Sequence, residues 1–154
     1  MRHLIYITLC LFGLATTAQS TILINNVVIF NGKDEKTITG NVLVVNNLIQ
    51  KISTSPIPTN KSGNTVIIDG KGKFLMPGLI DAHWHAILTA STMNELMYAE
   101  PGYVFIKAGD EAANTLMRGF TSVRDLGGPS FGLKKAIDDG VIDGPRIWPS
   151  GSII

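Results

Sequence analysis

Asp81, His83 and His85 occupy alternate positions in LIDAHWHA, residues 79–86, and apart from His3 these two are the only histidines in the chain. In an extended strand, residues i and i+2 point to the same face. The three side chains would then share one side, with Ala82 and Trp84 on the other. Two imidazoles about 7 Å apart along a strand face can converge on one cation, and neutral imidazole is a good ligand for Zn²⁺ and related divalent ions. The plainer alternative is a pair of solvated or hydrogen-bonded histidines at a strand end. Asp81 is open to two readings: a carboxylate that orients an imidazole through its second N–H, or a polar group on the core side of the strand end. Arg124 and Asp125 close a second strand-like stretch, FTSVRDLGG. They are candidates for a substrate pocket or for support of the first group, and a structural ion pair is the competing account. Trp84 and Trp148 fit ordinary packing, and Gly127-Gly128 permits a tight loop without implying phosphate binding.

The elements around these residues follow from periodicity. From residue 21 to 74 the pattern is β. ILINNVVIF and GNVLVVNNLIQKIS are rich in Val, Ile and Leu, and Asn46-Asn47 between them is a two-residue hairpin signal, because Asn tolerates the left-handed conformation. SPIPTNKSGN cannot continue a strand, and TVIIDGKGKFLMPG reads as strand, turn, strand. Short strands with close turns predict a small sandwich or partial barrel. After Gly78 the pattern changes to a strand through the histidines, a helix capped by Asp110 and Gly119, and a strand at FTSVRD. A second helix closed by Gly140 and a third strand at PRIWPSG follow. Such alternation builds a parallel sheet. The predicted fold class is α/β: a β-sandwich segment over 21–76, then from 77 to 154 the first three βα units of a (β/α)₈ barrel. A closed barrel takes about 250 residues, so the chain reads as the N-terminal part of a longer protein.

A formal net charge of +1 excludes the basic footprint of a nucleic-acid binder. Residues 1–20 have the three-part layout of a secretory signal peptide, with MRH charged, LIYITLCLFGLA apolar and TTAQS small. The apolar run is short for a membrane span, so no stable anchor is expected. Cleavage would remove Cys10, the one cysteine, leaving no disulfide and no thiolate ligand. It would also remove Arg2, one of 13 basic residues, and bring the chain level with its 12 acidic ones. Asn60-Lys61-Ser62 matches a glycosylation acceptor triplet, which matters only in a eukaryotic secretory route.

FLMPGLIDAHWH, residues 74–85, resembles the first barrel strand of the metal-dependent amidohydrolase superfamily, whose pattern is PG-x-ID-x-H-x-H. GFTSVRDLGG and GPRIWPSG look like the second and third barrel strands of its imidazolonepropionase-like and Xaa-Pro-dipeptidase-like branch. The resemblance runs from Ile22 to the C-terminus. It implies that His83 and His85 ligate the more buried metal, a divalent cation with Zn²⁺ foremost, one ion or two. It implies an enzyme that opens amide, cyclic amide or dipeptide C–N bonds with a metal-activated water, and the signal-peptide layout makes that enzyme an exported one, periplasmic or extracellular. Its substrates would be small amides or peptides, and a homo-oligomer is compatible with it. The remaining ligands of the family lie on later strands, so this chain alone is expected to be inactive. The alternative within the same resemblance is an amidohydrolase-like binding or assembly module without activity.

Overall fold

The computed structural model describes residues 19–59 and 64–152. The predicted signal peptide up to residue 18, Cys10 within it and the Asn60 triplet lie outside the described residues. The chain divides between Met76 and Pro77 into two compact units.

In the first unit, branched apolar residues form β1 (Thr21–Ile29), which lies beside β2 (Ile38–Val45) in antiparallel register. The first half of β1 pairs in parallel with β4 (Thr65–Asp69) and its second half with β5 (Phe74–Leu75). The switch falls at a bulge, where Asn26 takes φ 55° and the turn Gly70-Lys71-Gly72 hydrogen-bonds back to Asn25 and Asn26. β3 (Leu48–Ser53) pairs with β2, and the match of Val45 with Leu48 leaves Asn46-Asn47 as the expected two-residue turn, Asn46 at φ 56°. The outcome is one five-stranded mixed sheet in the order β3-β2-β1-β4, β5 continuing beside β1. Val27, Ile29 and Val42 are its buried centre. A sandwich needs a second facing sheet; none occurs among the described residues of this unit, and Leu48, Ile49 and Val66 stand exposed.

The second unit carries the chemistry-bearing residues. β6 (Leu79–Trp84), β7 (Phe120–Asp125) and β8 (Arg146–Pro149) form a parallel sheet in sequence order. α1 (Ala86–Ala90), α2 (Met93–Tyr98) and α3 (Pro101–Met117) connect the first two strands, and α4 (Phe131–Asp138) the last two. Each strand-to-strand connection is long enough to cross over, as parallel pairing requires. α3 begins well before the Asp110 predicted to cap it. Glu100 is the N-cap, accepting the Tyr103 N–H at 3.2 Å, and Pro101 takes the first helical position, where its missing N–H costs nothing. Asp110 is instead mid-helix and accepts from Asn114 Nδ2. The other end is as predicted: Gly119 turns the chain at φ 95°. The buried stripe of α3 is Val104, Ala108, Ala112 and Thr115, and Met117 near its end is 84% exposed. Small residues let the helix lie close to the sheet, where Trp84, Val123 and Ile147 complete the core. Trp148, by contrast, is exposed, one residue out of phase with buried Ile147. Among the described residues no helix is long and apolar enough to cross a membrane.

Candidate metal centre

Pro77-Gly78 leads into β6, and the backbone N–H of Leu79 is held by Gly119 O at 2.8 Å. Side-chain alternation does not run unbroken along this strand. Asp81 pairs with Val123 and Trp84 with Asp125, so three steps on β6 match two on β7. The extra residue makes a bulge at Ala82-His83, and bulges re-aim side chains. Partners in register share a face, and Val123 and Asp125 are two apart on one strand. Asp81 therefore lies on the Trp84 side, not on the side predicted for all three residues. Its carboxylate accepts the backbone N–H of His83 at 2.9 Å, so it braces the bulge and leaves the imidazoles to other partners.

His83 and His85 do come together. Their ring centroids are 5.3 Å apart and the planes meet at 69°, edge to face. His83 is exposed and His85 half-buried. Trp84 between them is 4% exposed and rooted in the core, which fixes the strand under both rings. His85 ends the strand and opens α1 as its N-cap, and its carbonyl accepts from Thr89 N and Oγ1. The Nδ1 of His85 is buried and has no hydrogen-bond partner. A buried, unsatisfied ring nitrogen is costly, and it divides the ring into a covered nitrogen and one left for a ligand.

Arg124 and Asp125 separate onto opposite faces of β7. Arg124 is exposed, and neither residue forms an ion pair among the described residues, contrary to the pairing expected of them. Asp125 is fully buried. Its Oδ1 accepts the N–H of Gly127 at 3.1 Å, and its carbonyl accepts from Ser150 N. Its Oδ2 has no partner. Sequence reasoning passed over Ser130, the N-cap of α4, which is also fully buried and makes no capping bond through its hydroxyl. A serine directly before a helical pattern is a signal that marks such a cap.

The donor set suits part of a metal site. Two neighbouring imidazoles at the C-terminal end of a parallel strand fit the ligand chemistry of a divalent cation. Among the described residues no group of three or more His, Cys, Asp and Glu is gathered, so the chain offers two ligands and not a complete set.

The model of the amidohydrolase family matches residues 74–154, more than half of the chain and all of the second unit's described residues. The chain belongs to the amidohydrolase family. This family generally uses divalent metals and includes hydrolases acting on C–N bonds of small molecules. Over 71 residues the chain is 39% identical to a 5'-deoxyadenosine deaminase of Methanobrevibacter smithii, covering 46% of this chain and 16% of that protein. It is 35% identical over 74 residues to an imidazolonepropionase of Treponema denticola, covering 47% and 18%. A solved prolidase in complex with N-methylphosphonate-L-proline superposes with a TM-score of 0.74 at 30% identity, over 86% of this chain and 32% of that one. The mixed α/β fold of the chain is that of solved amidohydrolases, and it spans less than a fifth of these curated relatives' lengths.

Proposed function

We propose that this chain is the N-terminal part of an exported, metal-dependent amidohydrolase that hydrolyses C–N bonds of small amides, cyclic amides or dipeptides. Its first 20 residues would be a signal peptide, residues 21–76 a segment of a β-sandwich, and residues 77–154 the opening of a (β/α)₈ barrel. Family membership supports this reading. So do relatives named for a deamination, an imidazolonepropionase reaction and a prolidase, together with the small share of each that the chain covers. The observation that carries it is the edge-to-face approach of His83 and His85, 5.3 Å between rings, at the C-terminal end of β6. Catalytic groups in barrels of this kind sit at that end of the strands.

In the proposed site His83 and His85 hold the cation, Zn²⁺ foremost. When bound, the cation supplies Lewis acidity toward a carbonyl and a water acidified to near neutral pH. The chain's own residues set the geometry. Trp84 anchors the strand between the two ligands, and Asp81 holds the His83 N–H so that the bulge keeps its shape. Arg124, exposed on the face opposite the helices, is available to a substrate's anionic group.

Removing divalent metal from the complete protein by chelation is expected to abolish C–N hydrolysis, and added Zn²⁺ to restore it. Hydrolysis at full rate in the thoroughly chelated protein contradicts the proposal. Export is read from the N-terminus of the secreted protein by mass spectrometry, where a retained Met1 contradicts the signal peptide.

A further inference from the structure

α3 and α4 cover the same face of the second unit's sheet, where Val104, Ala108 and Ala112 of one and Leu133 of the other share a core with Val123 and Ile147. Between the two helices runs an apolar groove of about 460 Å³, lined by Phe105, Pro129, Gly132, Leu133, Ala136 and Ile142. Leu133 is buried and forms its floor, whereas Phe105, Pro129 and Gly132 are exposed, so it opens outward. Gly132 leaves one wall empty, since a Cβ there would meet no atom within 4 Å. Ile106 and Val141, each next to a lining residue, are 75% and 72% exposed. Right-handed crossovers from further strands would bring new helices beside α4 and not over it. Apolar side chains this exposed around a formed groove mark an interaction site. The outer surface of α4 adds charge in a fixed order. Lys134 and Lys135 come first and Asp138 and Asp139 follow, joined i to i+4 at 2.5 and 2.6 Å. Such surface pairs are weakly held and exchange partners at little cost.

We infer that a second copy of this chain docks on this surface, α4 against α4, antiparallel about a two-fold axis through Ala136. A two-fold contact needs a surface complementary to itself, and the basic-then-acidic order of α4 meets that need. Reversed by the axis, the lysines of each copy lie against the aspartates of the other, whereas a parallel arrangement would oppose lysine to lysine. Complementary charge of this kind fixes register and partner. The same axis carries Val141, just past the C-terminal end of α4, to the N-terminal end of the other copy's helix. There the groove has its empty wall at Gly132, between Pro129 and Phe105, and Val141 fills it. The backbone N–H of Val141 is held by Ala136 O at 2.9 Å, so this side chain stands in a fixed place. Each copy thus gives one apolar knob and receives one. The contact lies on the helical layer and uses neither histidine, so it stands independently of the metal reading.

Sedimentation velocity of the complete protein over a range of concentrations tests this, with circular dichroism to establish that each variant is folded. The wild type is expected to dimerise. Lys134→Glu with Lys135→Glu makes the outer surface of α4 wholly acidic, and Asp138→Lys with Asp139→Lys makes it wholly basic. Each of these double variants should be monomeric alone, and an equal mixture of the two should form a one-to-one dimer. Gly132→Trp fills the groove where the fold has room for it, and should raise the dimer dissociation constant about tenfold or more, because both symmetric holes are blocked at once. Should a charge variant fail to fold, Gly132→Trp decides the matter with the wild type. A wild-type protein that stays monomeric at every concentration overturns the inference, whether its groove is empty or takes up an apolar dye in place of a second copy. A wild-type dimer unmoved by Gly132→Trp overturns it as well, and so does a mixture of folded charge variants that stays monomeric.

Discussion

Replacing Gly78 with Ala tests whether the turn into the histidine strand is set by close packing. A Cβ at Gly78 would lie 2.1 Å from Thr121 Oγ1, 2.3 Å from its Cγ2 and 2.7 Å from its Cβ. Rotation about χ1 can move the first two atoms. The third is fixed to the backbone of β7, and 2.7 Å is about 1 Å inside the carbon–carbon contact distance. Gly78 does not occupy the left-handed region, so the cost is steric and not conformational. Overpacking of this kind costs about 1–3 kcal/mol, and Gly→Ala returns about 0.4–1 kcal/mol by restricting the unfolded chain. The net loss should be about 1–2 kcal/mol, read from urea unfolding with an unchanged slope. Thr121→Ala keeps its Cβ and should not rescue the variant, whereas on a Thr121→Gly background Gly78→Ala should be close to neutral. A Gly78→Ala protein as stable as wild type refutes the reasoning, as does a penalty of the same size on both backgrounds.

Trp84→Ala should destabilise by about 3–5 kcal/mol, because Trp84 is 4% exposed at the centre of the second unit's core; the exposed His83→Ala should stay within about 0.5 kcal/mol by the same unfolding assay, and equal effects would contradict the assignment of faces. The hydrogen bonds of Lys107 to Glu95, and of the Thr92 N–H with it, hold the Glu95 carboxyl down to about 2 from an ordinary 4.5. Since the folded value is depressed, the stabilisation is fully present above about pH 4.5 and drains away as pH falls toward 2. Glu95→Gln should flatten the acid limb of a stability-against-pH curve in that window, and an unaltered limb would show that the pair contributes nothing.

Much of the framework was legible because short-range chemistry decides it. Asn46 supplied the left-handed turn, Gly119 and Gly140 ended their helices at positive φ, and strand-helix alternation after Gly78 gave the parallel sheet. The start of α3 was misread because Asp110 is a good cap by type, while the chain had already been committed to helix by Glu100-Pro101. The phase of Asp81 was misread because a bulge is a property of two strands in register. The two-residue period of β6 gives no sign that three of its steps match two on β7. The burial of Asp125 has the same origin: only the pairing of β7 with β6 and the packing of α3 show that Val123 and Asp125 point inward while Arg124 stands outside. The approach of His83 to His85 was legible from their spacing, because only Trp84 separates them and the irregularity in register ends before it.

The central claim is that His83 and His85 bind one cation, and metal content measured by elemental analysis tests it most directly. Purified wild-type complete protein, His83→Ala and His85→Ala are compared at equal protein concentration, with circular dichroism to establish that each is folded. The account predicts bound divalent metal in the wild type and its loss from both folded variants. Wild-type metal content retained by both variants would contradict it.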